Sequence, residues 1–199
     1  MQIVLPTSFF PSIAYCHAIA NAQRVIIDVH EHYVKQNLRN RCQIYSANGA
    51  LDLIVPVVKG RSPQVPTHAI EIANHENWQT KHWRSIEAAY RSSPYLEYYE
   101  DELRTFFEKE FTNLVEYNKE ILQNVLDLIG INVPIEYSSE YVEGNNWQNY
   151  RYLCAKKRPQ FESSSSYFQV FQEKGGFIPN LSILDLLFCE GPNAINYLQ

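Results

Sequence analysis

The segment IDVHEHYVKQNLRNR, residues 27–41, holds the densest set of reactive side chains in the chain. If its first part is extended, Asp28, His30 and His32 project from one face at a period of two. One carboxylate and two imidazoles so placed could bind a divalent metal or work as an acid–base pair. The plainer reading is a strand end whose imidazoles face water. Just beyond, Lys35, Arg39 and Arg41 bring three cations into seven residues, with Asn37 and Asn40 between them. In a chain of formal net charge −5, that concentration suits phosphate or carboxylate oxygens, which Arg grips through paired hydrogen bonds. The alternative is a solvated basic loop paired with local Glu.

A second group stands in LPTSFFPSIAYCH, residues 5–17, a strand-to-helix corner carrying Thr7, Ser8 and Ser12. Parallel sheets place ligands where strands end and helices begin, because helix-start amides are unpaired there. Phe9-Phe10-Pro11 resembles the nucleotidylyltransferase signature in its aromatic and proline. The first His of that signature is replaced near Ile13, and His17 falls one residue late, so nucleotidyl transfer by that mechanism is not expected. His17 reads as a helix-face side chain with a local hydrogen bond.

In residues 74–99, His75-Glu76 opens like a zinc-protease helix, but Gln79 stands where the second His is required. His82, Arg84, Tyr90 and Arg91 mix polar and aromatic groups on that helix, while Trp78, Trp83 and Ile86 read as core. Near the C-terminus, Asn180 and Ser182 are expected to cap the last helix with Asp185 one turn in. A contribution of Asn180 and Asp185 to a site is the alternative.

The elements that must position these groups follow from periodicity. Residues 3–6 read as a strand, 12–22 as a helix and 24–30 as a β-branched strand, the compact βαβ grammar of a parallel sheet. Residues 41–58 read as a hairpin with Asn48-Gly49 in a type I′ turn. A short strand is expected at 68–72, after a loop at 59–67. Asn77 caps a helix over 78–91, Pro94 opens a Tyr- and Glu-rich helix, and Thr112 restarts one whose Val115, Leu122, Val125 and Leu126 form an apolar stripe ending at Gly130. Two of these helices, antiparallel, would cover the sheet. Residues 133–137 and 166–172 read as strands, 140–159 as polar and undefined, 163–166 as a loop, Gly175-Gly176 as a turn and 181–188 as the last helix, which stops near Gly191-Pro192. The expected fold is α/β, a mostly parallel central sheet with a βαβ opening, covered by helices, in one domain over residues 1–199.

Composition bounds the rest. With 45% hydrophobic and 20% charged residues the chain is ordinary for a globular protein. Its acidic balance argues against a nucleic-acid partner, which needs a basic footprint. Fourteen Tyr and ten Phe supply broad contact surfaces with polar tips. Cys16, Cys42, Cys154 and Cys189 lack metal-site spacing and read as buried thiols outside disulfides. The N-terminus has no secretion-signal pattern, and no apolar run is long enough for a membrane span, so a cytoplasmic location is expected.

Three long stretches, FFPSIAYCHAIANAQRVIIDVHEHYVKQNLRNRCQI, HWRSIEAAYRSSPYLEYYEDEL and GFIPNLSILDLLFCEGP, together resemble the WbqC-like family of bacterial proteins. Within its pattern the chain keeps Asp28, Lys35, Arg39, Asn40 and Arg41. His30 and His32 stand where other members have carboxylate or amide residues, which weakens a metal site there. The resemblance implies a place in surface-polysaccharide (O-antigen, lipopolysaccharide) biosynthesis and no particular reaction. The expectation is then a transferase acting on an activated, phosphate-bearing sugar or related metabolite. Lys35, Arg39 and Arg41, with Thr7, Ser12 and Asn40, would hold the phosphorylated substrate, and Asp28 with His30 or His82 would move protons. No metal or cofactor is assigned, and an oligomer is left open. The rival is a non-catalytic binding or scaffolding protein of the same pathway, using the Tyr-rich helical surface.

Overall fold

The computed structural model describes residues 1–58, 64–143, 146–155 and 166–199. The expected opening is present. Strand β1 (Gln2–Pro6), helix α1 (Ile13–Ala20) and strand β2 (Arg24–Asp28) form a βαβ unit, with β1 and β2 parallel and in register from Gln2 opposite Arg24 to Pro6 opposite Asp28. Two short strands, β5 (Ile135–Tyr137) and β6 (Gln148–Asn149), join outside β2 and β1, both parallel. The order β5-β2-β1-β6 reverses direction between β1 and β6. Ile3, Leu5, Val25 and Ile27 face the core with no exposed surface. By the same period of two, Val4, Ile26 and Asp28 lie on the outer face. The fold is α/β with a parallel central sheet, as the sequence implied.

Between β2 and β5 come a hairpin, β3 (Arg41–Ser46) with β4 (Gly49–Ile54), and three helices, α2 (Trp78–Tyr90), α3 (Leu96–Glu108) and α4 (Leu114–Ile129). The hairpin turn sits one residue earlier than the type I′ expectation. Ala47 and Asn48 make the turn without positive φ, and Gly49 alone takes φ +98° at the start of β4. That is the geometry of a two-residue turn closed by a left-handed glycine. α2 packs on the hairpin, where the Tyr45 amide donates to the Tyr90 hydroxyl at 3.1 Å. The N-cap of α4 is Asn113, whose Oδ1 accepts from the amides of Val115 and Glu116, and Gly130 stops the helix at φ +80°. α3 begins after Pro94 rather than on it.

Two expected strands are absent. Residues 68–72 hold a 3₁₀ turn, Thr67–Ala69, followed by isolated bridges, because the Thr67 and His68 amides are drawn to the carbonyls of Glu31 and Val29. Residues 166–172 alternate correctly, with Tyr167 and Gln169 buried and Phe168 exposed, yet pair with no strand among the described residues. Their polar groups go instead to side chains and to the single turn α5 (Gln172–Gly175). The loop expected at 163–166 falls mostly outside the described residues, as does part of that at 59–67.

The chain closes with α6 (Ile183–Glu190) and a 3₁₀ segment, Gly191–Tyr197. α1 and α6 start side by side. The Ile13 amide donates to Leu181 O at 3.0 Å, and the Ile183 amide donates to Pro11 O at 2.8 Å. Two residues before their respective serine caps, Phe10 and Asn180 take matching left-handed backbones of φ +34° and +54°. No helix among the described residues is long and apolar enough to cross a membrane.

Candidate functional site

Parallel strands end on the same side of a sheet, so whatever follows β1, β2, β5 and β6 is brought together. Thr7 and Ser8 follow β1, Asp28 ends β2 with Glu31 just beyond, Ser138 follows β5 and Arg151 follows β6. Asp28 has no exposed surface. It accepts from the His30 amide at 3.0 Å, the Ser138 hydroxyl at 3.2 Å, the Val142 amide at 3.3 Å and the Arg151 guanidinium. Arg151 also donates to Val142 O at 2.9 Å and lies 3.7 Å from Glu31. Glu31 takes a 2.7 Å hydrogen bond from Nε of Arg39, whose side chain is as buried as its partner's.

Two carboxylates and two guanidiniums therefore alternate and cancel in formal charge. Burial pushes the Glu31 carboxyl above the ordinary range, opposed by the Arg39 and Arg151 charges. Arg151 Nε is buried and makes no hydrogen bond among the described residues. Cys154 closes the group, its thiol directed at Thr7 O and pushed up to about 12 by burial, so it is no thiolate nucleophile.

Of the residues singled out in the sequence, Thr7, Asp28 and Arg39 meet here. Arg39 is not solvent-facing: its guanidinium is an ion-pair partner of Glu31. Lys35 is exposed nearby in the chain. Arg41 faces Asp52 across the hairpin at 3.6 Å. Asn40 joins β4's end to the loop, its Nδ2 donating to Val55 O at 2.8 Å. His30 packs against His68, the rings tilted by 46° with centres 4.4 Å apart. His32 and His30 do not continue the Asp28 face, because β2 ends at Asp28 and the alternation ends with it. Among the described residues no group of three or more His, Cys, Asp or Glu could hold a metal ion.

His82 belongs to a different neighbourhood. Its Nε2 accepts from the Ile54 amide at 3.2 Å, and its ring packs against Phe9 and Trp78. Burial lowers its pKa to about 4, so the ring is neutral at physiological pH. None of these three partners belongs to the Asp28 cluster.

The strand-to-helix corner is also not the open anion site expected. Ser12 caps α1, and the amides of Ile13, Ala14 and Tyr15 are taken by Leu181 O, Asn180 Oδ1 and Ser12. The crevice between Ser8, Phe10, Arg41 and Ser182 leaves no room for a water molecule. Asn180 thus caps α1 rather than its own helix. Asp185 is enclosed by the Tyr90 hydroxyl at 2.7 Å, the Tyr167 hydroxyl at 2.5 Å and Gln169 Nε2 at 2.8 Å. Burial raises its pKa against those three donors, and the cage ties α2, α6 and residues 167–169 together.

Sequence reasoning missed Glu31, Ser138 and Arg151. Glu31 lay in view between His30 and His32, but period two put it on the wrong face. Arg151 follows a two-residue strand, too short to show any alternation.

The model of the WbqC-like protein family matches residues 7–160 and 155–197. A Mycobacterium tuberculosis protein named "Uncharacterized protein Rv1507c" is 28% identical over 224 residues, covering 98% of this chain and 96% of that one. No solved structure matches the chain.

Proposed function

The chain belongs to the WbqC-like protein family, and we propose that it is a transferase acting on an activated, phosphate-bearing sugar or related metabolite in bacterial surface-polysaccharide biosynthesis. The observation that carries this reading is the ionic cluster at the carboxyl ends of the four parallel strands, beside the β1–β6 reversal where open parallel sheets take their ligands. The pathway comes from the family resemblance.

Within the cluster, Glu31 is the proton-exchanging group in this reading, since burial lifts its pKa above the ordinary carboxylate value. Asp28, saturated by four donors, positions Arg151. The internal guanidiniums are balanced by carboxylates, so the substrate's phosphates fall to Lys35, which is exposed, and to Arg41, whose partner is 3.6 Å away. Activated phosphate donors belong to the cytoplasm, which is where this reading places the protein. The rival, a non-catalytic binding protein, draws on Tyr98, 73% exposed on the acidic face of α3.

A thermal-shift screen with nucleotide sugars, free nucleotides and sugar phosphates tests the reading, because saturating ligand stabilises the folded state by mass action. A phosphorylated hit whose binding weakens about tenfold in both Lys35→Ala and Arg41→Ala, at unchanged Tm, is the expected result. Turnover lost in Glu31→Gln with binding retained separates an enzyme from a binder. No phosphorylated hit, or binding by both cation variants as tight as the parent's, overturns it.

A further inference from the structure

On the outer face of the sheet, residues 138–143 cross β2 and β1 as a strap. Asp28 pins the strap at Ser138 and Val142, and Arg151 ties it again at Val142 O. Beneath and beside it are two adjoining hollows of about 600 and 360 Å³ that share Tyr141, Val142, Glu143 and Trp147. Ile26 and Val4 form their floors. Arg151 lines the smaller hollow and reaches back to Asp28 and Glu31, so the hollows open beside the ionic cluster.

The wall chemistry is specific. Tyr141 is half exposed, with Arg151 stacked over its ring at 5.0 Å, and Trp147 is half-buried with Arg24 over it at 5.7 Å. The larger hollow adds Ser138, Ser139 and Glu140 to the shared Glu143, and no cation is among its described lining residues. Two wall carboxylates disfavour phosphate there. Carboxylates and hydroxyls together accept from, and donate to, several neighbouring hydroxyl groups at once. Aromatic faces carry negative charge density and attract the polarised C–H bonds of a saturated ring. A ring that is apolar on its faces and hydroxylated round its edge satisfies all three walls.

We infer that these hollows bind a neutral saccharide ring, stacked on Trp147 and Tyr141 and held at its hydroxyls by Glu143 and Glu140. Its meaning as an acceptor subsite rests on the transferase reading; the sugar binding itself does not.

Trp78 and Trp83 are buried, so a fluorescence change on ligand addition reports chiefly on Trp147. The whole chain is titrated with glucose, galactose, mannose and N-acetylglucosamine, and separately with uridine and spermidine. At least one neutral sugar saturates with a millimolar dissociation constant, and the other two ligands do not. Calorimetry then shows that Trp147→Leu and Glu143→Gln each weaken that sugar at least about tenfold at unchanged Tm. Failure of every sugar to saturate by about 100 mM overturns the inference. So does preferential binding of uridine or spermidine, or undiminished binding by Trp147→Leu. Sugar binding without any phosphorylated hit sinks the transferase and leaves this site standing; a phosphorylated hit without sugar binding does the reverse.

Discussion

The paired starts of α1 and α6 and the carboxyl edge of the sheet are both polar corners, yet they use their polar groups in opposite ways. At the helix starts three amide donors meet acceptors from the other end of the chain: Ile13 with Leu181, Ile183 with Pro11, Ala14 with Asn180. Those three amides are not left to bind a ligand. At the sheet edge the groups are charged and incompletely matched: Glu31 stands 3.7 Å from Arg151, beyond hydrogen-bond distance, and Arg151 Nε makes no hydrogen bond among the described residues. Serine and asparagine at a helix start are therefore caps first. Capacity for a ligand lies where hydrogen-bonding groups remain unsaturated.

The sharpest way to break this contrast is to unpair the sheet edge. Arg39→Met leaves Glu31 buried without its main partner and is expected to cost about 3–5 kcal/mol in urea denaturation at pH 7. Adding Glu31→Leu should recover much of that loss, because the pair is replaced by apolar packing. A double variant as unstable as the single would show that the arginine acts elsewhere.

The aromatic layer beside the helix corner has its own pH signature. The folded pKa of His82 lies at about 4, below the ordinary 6.5. Its contribution is complete above the unfolded value and is lost as pH falls through 6.5 toward 4, by up to about 3 kcal/mol. Stability measured at pH 7 and 4.5 should show this slope, and His82→Gln should flatten it. Glu31 works with the opposite sign, since its raised pKa favours the protonated form and its contribution fades as pH rises.

At the helix starts the effects are smaller. Asn180→Ala removes the Ala14 cap and sets Ala at φ +54°, for an expected loss of about 1–2 kcal/mol. Asn180→Gly keeps the backbone and should lose less. Smallest of all, Lys35→Ala should change stability by no more than about 0.5 kcal/mol, as befits an exposed side chain. A larger loss would make Lys35 part of the scaffold rather than of a ligand surface.

Much of the scaffold was legible. The β-branched run at residues 24–28, the stripe of α4 and its stop at Gly130 appear where local pattern placed them, and all four cysteines are buried outside any disulfide. Residues 166–172 show the limit: their alternation correctly assigns Tyr167 and Gln169 to the inside, but alternation says nothing about whether a neighbouring strand exists. Asp28 was legible as a site residue because it ends a strand. Arg151, its partner 123 residues away, was not.

The sequence by itself determined the βαβ opening, the helix ends and the buried faces, because periods of 2 and 3.6 residues express interactions within a few positions. Only the tertiary structure decided that Glu31 and Arg39 are buried together, that Arg151 completes them, and that Asn180 caps a helix near the other terminus. Those choices depend on which strand ends and helix starts come to lie side by side, and no local preference distinguishes a carboxylate left in water from one awaiting a distant guanidinium.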